Sequence, residues 1–303
     1  MKSPTDKSND IIQIFVTRAC TLKCSNCTPL LEFRRDPPHM SVDCFRNALR
    51  SLDGWYGVRA MFGGCPTLNP RFLDMCDILR EEVPEQRHRG LWVNDLINDE
   101  IGQACRDTFY PHGRLNLNAH NNVKATALFD KWLPGKMIDT SRPGRTVAWH
   151  GPILMSHKDF GISESEWVQK RESCQINTDW SALIREVDGK PYAWFCEVAS
   201  ALDAVRGENH GVEAVPGWWR WKMDKFQHQV SQCCDRGCGV PLRLLGHQDQ
   251  AETHDCSASF KDIVELTIQR KPKTKVQFHD TLPVSTECVT DYEGHRTHKP
   301  VTV

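Results

Sequence analysis

Three cysteines follow directly after an apolar run near the start of the chain. The run IIQIFVTR covers positions 11–18 and indicates a buried β-strand, and Cys20, Cys24 and Cys27 come next in TRACTLKCSNC. Three thiolates on one short loop suffice to hold three corners of a cubane iron–sulfur cluster, whereas a closed electron-transfer cluster normally takes four cysteines. The spacing therefore predicts a four-iron cluster with one iron open to another ligand.

The composition favours metal ligation over disulfide bonding. The 303 residues include 14 cysteines, and the opening sequence MKSPTDKSND has no apolar signal-peptide core, so we expect a reducing compartment. No apolar run approaches the roughly 18 residues that a membrane span needs. The net charge of −1 gives no sign of a broad nucleic-acid-binding surface. We therefore expect a soluble, cytoplasmic protein.

Short apolar runs alternate with helical patterns after the triplet, which indicates successive βα units and an α/β fold. Ser41 is predicted to cap the first helix. The loops at the carboxyl ends of the strands are expected to hold cofactor and substrate. The predicted strands cover 11–18, 57–64, 90–95, 114–120 and 146–154, and the first two helices cover 41–52 and 70–82.

A second group of cysteines surrounds a predicted hairpin. The segment 180–198 indicates two strands around the turn Asp188-Gly189, and Cys174 and Cys196 flank it. A helix is predicted at 223–232, directly before further cysteines in CCDRGCG. The candidate ligands are Cys174, Cys196, Cys234 and Cys238, with Cys233 as a competitor of Cys234, because both spacings to Cys238 are sterically possible. The scattered cysteines are expected to be ordinary buried thiols: Cys44, Cys65, Cys76, Cys105, Cys256 and Cys288.

The change of sequence character near residue 165 predicts three parts. The first is the α/β domain at 1–165, and the second is a small cysteine-rich α+β part at 166–245. The third is a tail at 246–303 that packs on the first domain or is partly mobile. Zinc in both cysteine groups is the main alternative, and it would make the chain a zinc-stapled binding protein rather than an enzyme.

The cysteine triplet, together with FGGCP at 62–66, resembles the radical S-adenosylmethionine (SAM) superfamily. The resemblance implies a partial (β/α)6 TIM-like barrel in which the triplet holds a [4Fe-4S] cluster whose open iron binds SAM. Reductive cleavage then yields a 5'-deoxyadenosyl radical that removes hydrogen from an unactivated C–H bond. A flavodoxin- or ferredoxin-type protein would supply the electron. Family members often have an aromatic residue before the third cysteine, where this chain has Asn26.

The same resemblance implies a SAM pocket. Gly63 and Gly64 would let the backbone approach the SAM amino group, because they lack a β-carbon. Cys65 replaces the usual glutamate there and leaves backbone carbonyls as partners of that group. Asn94 and Asn118, at two predicted strand ends, would reach the ribose and carboxylate. Each asparagine is nearly as well explained by a hydrogen bond to its own βα turn.

The second cysteine group resembles a twitch or SPASM-type extension with one auxiliary [4Fe-4S] cluster. Four thiolates would close that cluster and indicate electron transfer, whereas three would leave an iron for substrate. His120 and His150, at predicted strand ends, are the catalytic candidates. Arg34 and Arg35 could bind a phosphate or carboxylate group. Four tryptophans could stack on a nucleobase or brace the small domain: Trp194, Trp218, Trp219 and Trp221.

Over nearly the whole chain, CSNCTPLLEFRR, FGGCP, GLWVND, WFCEVA and PGWW resemble a group of small radical SAM proteins of bacteriophage genomes. That group includes isomerases of DNA hypermodification, which convert 5-Nα-glycyl-thymidine to its Cα-linked isomer. The resemblance implies a modified thymidine in DNA as partner, presented outside the base stack, and action in the host cytoplasm. The alternative is a twitch-type maturase acting on a peptide or on a small nucleoside or carbohydrate.

Overall fold

The structure is a computed structural model in which the peptide chain is described over ten stretches. These stretches cover residues 1–34, 36–119, 122–136, 149–179, 181–244, 247–248, 253–268, 275–283, 286–290 and 296–300. Across these stretches, no helix is both long enough and apolar enough to span a bilayer.

A seven-stranded sheet forms the centre of the protein, with the strand order β4-β3-β2-β1-β6-β7-β8. The first five strands in that order run parallel, and β7 and β8 are antiparallel to their neighbours. All seven residues of β1 are buried, as expected of a central strand covered on both faces. The strands are β1 (Ile11–Thr17), β2 (Val58–Gly63), β3 (Arg89–Val93), β4 (Arg114–Leu117), β6 (Ala182–Val187), β7 (Lys190–Trp194) and β8 (Val212–Glu213).

Four helices follow the first four strands in turn, and each contacts the next. They are α1 (Val42–Ser51), α2 (Phe72–Glu82), α3 (Asp99–Phe109) and α4 (Val123–Trp132). The side chains of Ser41, Asn98 and Asn122 cap α1, α3 and α4 by accepting hydrogen bonds from first-turn N–H groups. The predicted cap at Ser41 and the predicted elements between 11 and 120 are therefore confirmed.

The hairpin predicted at 180–198 is confirmed, but it belongs to the main sheet. Asp188 and Gly189 both have positive φ, 49° and 78°, as a two-residue type I′ turn requires. Its first strand, β6, pairs in parallel with β1 through the register Ile12↔Ala182. The first four residues of β6 are buried, which suits a place beside the central strand. The chain after residue 165 therefore extends the first sheet, and the domain limits stay a prediction.

The segment predicted as a strand at 146–154 is described from residue 149 onward, and this described part does not join the main sheet. Within it, the strand is β5 (Trp149–His150), which pairs antiparallel with β9 (His247–Gln248). Pro152 lacks a backbone donor and limits further pairing. Within the described stretches, the parallel part of the sheet therefore has five strands, the fifth supplied by the hairpin, rather than the six of the expected barrel.

The remaining elements are shorter. The helix predicted at 223–232 is instead a 3-10 turn (Met223–Phe226), the short helix α8 and a π-helical turn (Val230–Cys234). In the C-terminal part, β10 pairs with β11 and β12 pairs with β13. The bounds are α5 (Glu164–Glu172), α6 (Gln175–Asp179), α7 (Glu197–Arg206), α8 (Gln227–Gln229), α9 (Lys261–Ile268), β10 (Thr253–Ser257), β11 (Lys275–His279), β12 (Thr286–Thr290) and β13 (Arg296–Pro300).

Candidate cofactor cleft and second cysteine cluster

The cysteine loop leaves the carboxyl end of β1 and lies across the end of β2. Gly64 N–H donates to Thr17 O at 2.8 Å, and Cys65 N–H donates to Ala19 O at 2.7 Å. A β-carbon on Gly63 would lie 2.1 Å from Thr17 O, and one on Gly64 would lie 2.3 Å from Ala19 O. The chain's own packing therefore requires both glycines. This packing fixes the start of the loop on the sheet.

A cleft of about 210 Å³ opens beside this loop. The structure brings together seven of the eight residues predicted for the first cluster and the SAM pocket. Those that line the cleft are Cys20, Cys24, Cys27, Gly63, Gly64, Asn94 and Asn118. Phe62, Trp92, Asn116 and Glu197 also line it.

Cys65 is the predicted pocket residue whose side chain lies away from the cleft. Its Sγ is 3.1 Å from Thr67 Oγ1 and 3.4 Å from the carbonyl oxygen of Asp95. Burial raises the pKa of Cys65 to about 12, so the thiol stays neutral. The side chain is thus a buried thiol within the protein, and its backbone N–H holds the start of the cysteine loop.

Asn94 offers the cleft an unused hydrogen-bond acceptor. Its Nδ2 donates to Thr21 Oγ1 at 3.1 Å and lies 3.6 Å from Cys20 Sγ. Its Oδ1 is buried, and no group in the described part of the chain donates to it. A buried acceptor without a donor costs about 1–3 kcal/mol. The site therefore favours a ligand that brings an O–H or N–H group to Asn94.

The triplet thiols are electrostatically suited to a cationic centre. Burial raises the pKa of Cys20, although hydrogen bonds from Leu22 and Asn94 oppose the shift. Burial raises the pKa of Cys27 well above its ordinary value, and the charges of Cys24 and Cys20 raise it further. Three ionised thiolates on this half-buried loop would repel one another, and a metal centre would stabilise them by neutralising their charge. The donor set therefore fits a metal cluster.

The second group of cysteines meets in a small enclosed cavity. Cys174, Cys196, Cys234 and Cys238 all line it, and burial is the main cause that raises the pKa of each. Cys233 is fully buried and is not among the residues that line this cavity. Of the two adjacent cysteines, Cys234 is therefore the one that the fold places with the other three.

Lys7 reaches this second group from the N-terminal segment. It is 5% exposed, and its Nζ has no hydrogen-bond partner among the described residues. Burial lowers the pKa of Lys7, while the charges of Cys196, Cys174 and Glu197 oppose that shift. A buried ammonium group is costly unless negative charge lies close to it. Ionised sulfur in this group would therefore stabilise the charged form of Lys7, and its polar N-terminal sequence context gave no signal of this position.

Glu197 is a second residue that the sequence interpretation missed. It begins α7 directly after Cys196, it is 4% exposed, and it is the one carboxylate among the residues that line the first cleft. α7 thus presents Cys196 to one cavity and Glu197 to the other. The sequence did carry one indication of this role, because an acidic residue directly follows the predicted ligand Cys196 in WFCEV.

The other candidate residues either lie outside the described part of the chain or do not line the cleft. His120 and Arg35 lie outside the described residues, as does the side chain of His150, whose strand pairs with β9 rather than with the main sheet. Arg34 is 5% exposed, pairs with Asp36 and stacks over a phenylalanine ring. The prediction that Arg34 binds a phosphate or carboxylate ligand is therefore wrong.

The tryptophans stabilise the core. Trp194 and Trp218 are fully buried, and Trp219 packs edge-on against Trp55 with ring centroids 5.2 Å apart. Trp221 is half-buried against the same core. Stacking on a nucleobase is wrong for the three buried residues, which pack in the protein core, and their bracing of a separate small domain stays a prediction. The predicted ordinary thiols Cys44, Cys65, Cys76, Cys105 and Cys256 are buried as expected, and the side chain of Cys288 lies outside the described residues.

No protein-family model matches the chain, and no curated protein matches it. Among solved structures, BtrN in complex with AdoMet and 2-DOIA is similar at 15% identity over 76% of this chain and 89% of that chain, with a TM-score of 0.48. Native anSMEcpe with bound AdoMet and Cp18Cys peptide is similar at 12% identity over 86% of this chain and 97% of that chain, with a TM-score of 0.36. Streptococcus suis SuiB bound to S-adenosylmethionine is similar at 18% identity over 37% of this chain and 24% of that chain, with a TM-score of 0.29. These scores lie below 0.5, so functional inference rests on the residues of this chain.

Proposed function

We propose that the protein is a radical SAM enzyme. The observation that carries the proposal is the convergence of Cys20, Cys24 and Cys27 with Asn94 and Asn118 in one cleft. The three thiolates would hold a [4Fe-4S] cluster through three of its irons. With SAM bound at the open iron, that cluster supplies a radical able to remove hydrogen from an unactivated C–H bond.

The protein's own part is to hold the ligands and to shield the site. Asn94 Oδ1 is available to accept a hydrogen bond from a SAM hydroxyl or amino group, which would satisfy a buried atom that otherwise has no donor. Phe62 and Trp92 line the cleft and reduce the access of water. Gly63 and Gly64 keep the start of the cysteine loop, next to Cys20, seated on the end of β2.

The second cysteine group is proposed to hold an auxiliary [4Fe-4S] cluster. Cys174, Cys196, Cys234 and Cys238 share one cavity, which favours a closed cluster used in electron transfer. Lys7 supports this assignment, since its buried ammonium group would balance part of the negative charge of a four-thiolate cluster. A flavodoxin- or ferredoxin-type protein is proposed as the electron donor.

For the substrate, we propose 5-Nα-glycyl-thymidine in DNA, converted to the Cα-linked isomer. The bond from the thymine methylene to nitrogen breaks, a bond from that methylene to the glycyl Cα forms, and one hydrogen moves in net from Cα to nitrogen. The reaction therefore needs no net oxidant. Glu197 would accept a hydrogen bond from the glycyl amine, and its support is that it is the one carboxylate among the cleft-lining residues. The base must be extruded or single-stranded to enter the cleft.

Anaerobic reconstitution of the full chain with iron and sulfide tests the cofactor proposal. We expect about eight irons per chain, a brown chromophore, and cleavage of SAM to 5'-deoxyadenosine under strong reductant. Cys24→Ala removes a proposed ligand of the first cluster, so it is expected to retain about four irons and to lose SAM cleavage. Zinc in both sites, with no SAM cleavage by the wild-type chain, refutes the proposal.

A substrate assay tests the reaction separately. Single-stranded and duplex DNA carrying 5-Nα-glycyl-thymidine are incubated with reduced enzyme and SAM, digested to nucleosides, and analysed by chromatography with mass spectrometry. The expected product has the mass of the substrate and a different retention time. Modification of a peptide or of a free nucleoside or carbohydrate, with none of the DNA, refutes the isomerase proposal and leaves the radical SAM proposal in place.

A further inference from the structure

Strand β10 of the C-terminal part lies against the middle of the cysteine loop. Thr253 N–H donates to Ser25 Oγ at 3.0 Å, and Asn26 N–H donates to His254 Nδ1 at 3.2 Å. Asp255 N–H donates to Asn26 Oδ1 at 2.9 Å, and Asn26 Nδ2 donates back to Asp255 Oδ2 at 2.8 Å. Asn26, His254 and Asp255 are each at most 4% exposed. The loop that carries the cysteine ligands is therefore tied to a strand more than 200 residues later in the chain.

The conformation of Asn26 explains its place before Cys27. Its φ is +46°, in the left-handed region that asparagine adopts more readily than most residues. Its amide group then pairs at once with a backbone N–H and with a carboxylate. A phenylalanine side chain can form neither bond, and no aromatic side chain carries an amide group. The asparagine that stands in place of the common aromatic residue therefore has specific hydrogen-bond partners in β10.

A second layer of contacts holds the strand in place. His279 Nε2, from the neighbouring strand β11, lies 2.8 Å from the other oxygen of Asp255. The ring of His254 packs edge-on against Phe33 with centroids 4.8 Å apart, and its Nε2 is 3.5 Å from Glu32 Oε2. The carboxylate that meets Asn26 is therefore held from both sides.

We propose that Asn26 and Asp255 are a positioning pair through which β10 sets the geometry and the reduction potential of the first cluster. The inference rests on the proposed radical SAM function. Hydrogen bonds and charges around a cluster tune its potential, and partners of ligand-bearing groups commonly change metal affinity or activity by about 10–100-fold when removed. Here the buried carboxylate of Asp255 is hydrogen-bonded to Asn26, the residue directly before the ligand Cys27. It is therefore placed to lower the potential of the cluster.

A reciprocal exchange tests the pair. Asn26→Asp sets two carboxylates against each other and is expected to lower iron content of the first site and SAM cleavage by about 10–100-fold. Adding Asp255→Asn restores one carboxylate facing one amide, with the same donors and acceptors available, and is expected to recover the iron content. Asp255→Asn alone keeps the hydrogen bonds to Asn26 and removes the charge. It is expected to retain iron and to shift the EPR-monitored midpoint potential of the first cluster upward.

Two comparisons make the outcomes distinct. Asn98→Asp, at an exposed helix cap where a carboxylate accepts the same hydrogen bond, is expected to match wild type in iron, potential and SAM cleavage. If wild type assembles the cluster but Asn26→Asp keeps full iron, or Asp255→Asn leaves the potential unchanged, the positioning proposal is overturned. Failure of the exchange to rescue Asn26→Asp overturns it as well. A wild-type chain that binds no iron at the first site refutes the proposed function itself.

Discussion

Asp36→Asn is expected to be among the most destabilising isosteric changes in this protein. Asp36 pairs with two buried guanidinium groups, Arg34 through a bidentate contact and Arg185 at 3.5 Å. The side chains of Arg34 and Arg185 are 1% and 3% exposed, and that of Asp36 is 9% exposed. This ion cluster joins the segment that follows the cysteine loop to strand β6 of the hairpin. Its loss would therefore loosen two elements that flank the cleft.

The size of the effect follows from the burial of the two cations. Removing one partner of a buried ion pair typically costs about 3–5 kcal/mol, because the other charge stays buried. Burial and the charge of Arg34 already lower the pKa of Arg185 to about 10, although Asp36 and Asp203 oppose the shift. With a urea slope of about 3 kcal/mol per M, the midpoint of unfolding should fall by about 1–1.7 M.

The same ion cluster should also make the stability of the protein depend on pH. Burial alone would raise the pKa of Asp36, but the charge and hydrogen bonds of Arg34 outweigh it and lower the pKa below the ordinary value of 3.8. The stabilisation is therefore complete above that value and is lost as the pH falls through the lower pKa of the folded state. Asp36→Asn should remove this part of the acid dependence.

Urea unfolding at pH 7 and at stepwise lower pH checks both expectations. Asp77→Asn is the matched control, because it breaks an exposed pair with Arg80 whose side chains are 69% and 37% exposed. Such a pair contributes at most about 1 kcal/mol. A loss for Asp36→Asn no larger than that of the control, or an unchanged acid profile, refutes the reasoning.

Three further predictions concern the proposed sites. Cys234→Ala should lose about four irons per chain, whereas Cys233→Ala should lose none. Equal iron content in the two variants would contradict the assignment of Cys234 as the ligand of the second cluster. Lys7→Met removes a positive charge beside the second cluster, so the EPR-monitored reduction potential of that cluster should fall. Lys7→Arg keeps the charge, and its cluster potential should stay near that of wild type. An unchanged potential in Lys7→Met would show that the charge does not act on the cluster. Glu197→Gln should raise the KM for the DNA substrate by about tenfold, because a charged hydrogen bond is lost. It should leave SAM cleavage in the absence of substrate unchanged. An unchanged KM would show that Glu197 does not bind the substrate.

The first cleft was predictable because local patterns decide where its residues lie. Parallel strands joined by helices present their carboxyl ends at one edge of a sheet, so residues that follow successive strands converge there. Cys20, Gly64, Asn94 and Asn118 each follow such a strand, and the structure brings them together. The turn Asp188-Gly189 was predictable for the same reason, since its backbone requirement is carried by two adjacent residues.

The other parts depend on long-range packing that no local pattern records. The hairpin signal predicts two paired strands, but it does not say that β6 will join β1 and become part of the main sheet. The apolar run at 146–154 has the composition of a strand, and periodicity alone could not show that its described part, 149–154, lacks a partner in that sheet. Lys7 and Asp255 lie in polar segments, and their burial arises only when distant segments pack together.

The position of α7 bears on how the two proposed sites would cooperate. Cys196 and Glu197 are consecutive residues, so their Cα atoms lie about 3.8 Å apart, yet one lines the second cavity and the other lines the first cleft. A substrate held by Glu197 would therefore sit close to the auxiliary cluster without any movement of one domain against another. Because β6 and β7 belong to the main sheet, the helix that follows them is fixed relative to the cysteine loop on β1. Under the proposed function, the second cysteine group would form a wall of the same unit as the cleft, and this shared frame would favour electron exchange between the auxiliary cluster and a bound substrate over a purely structural metal.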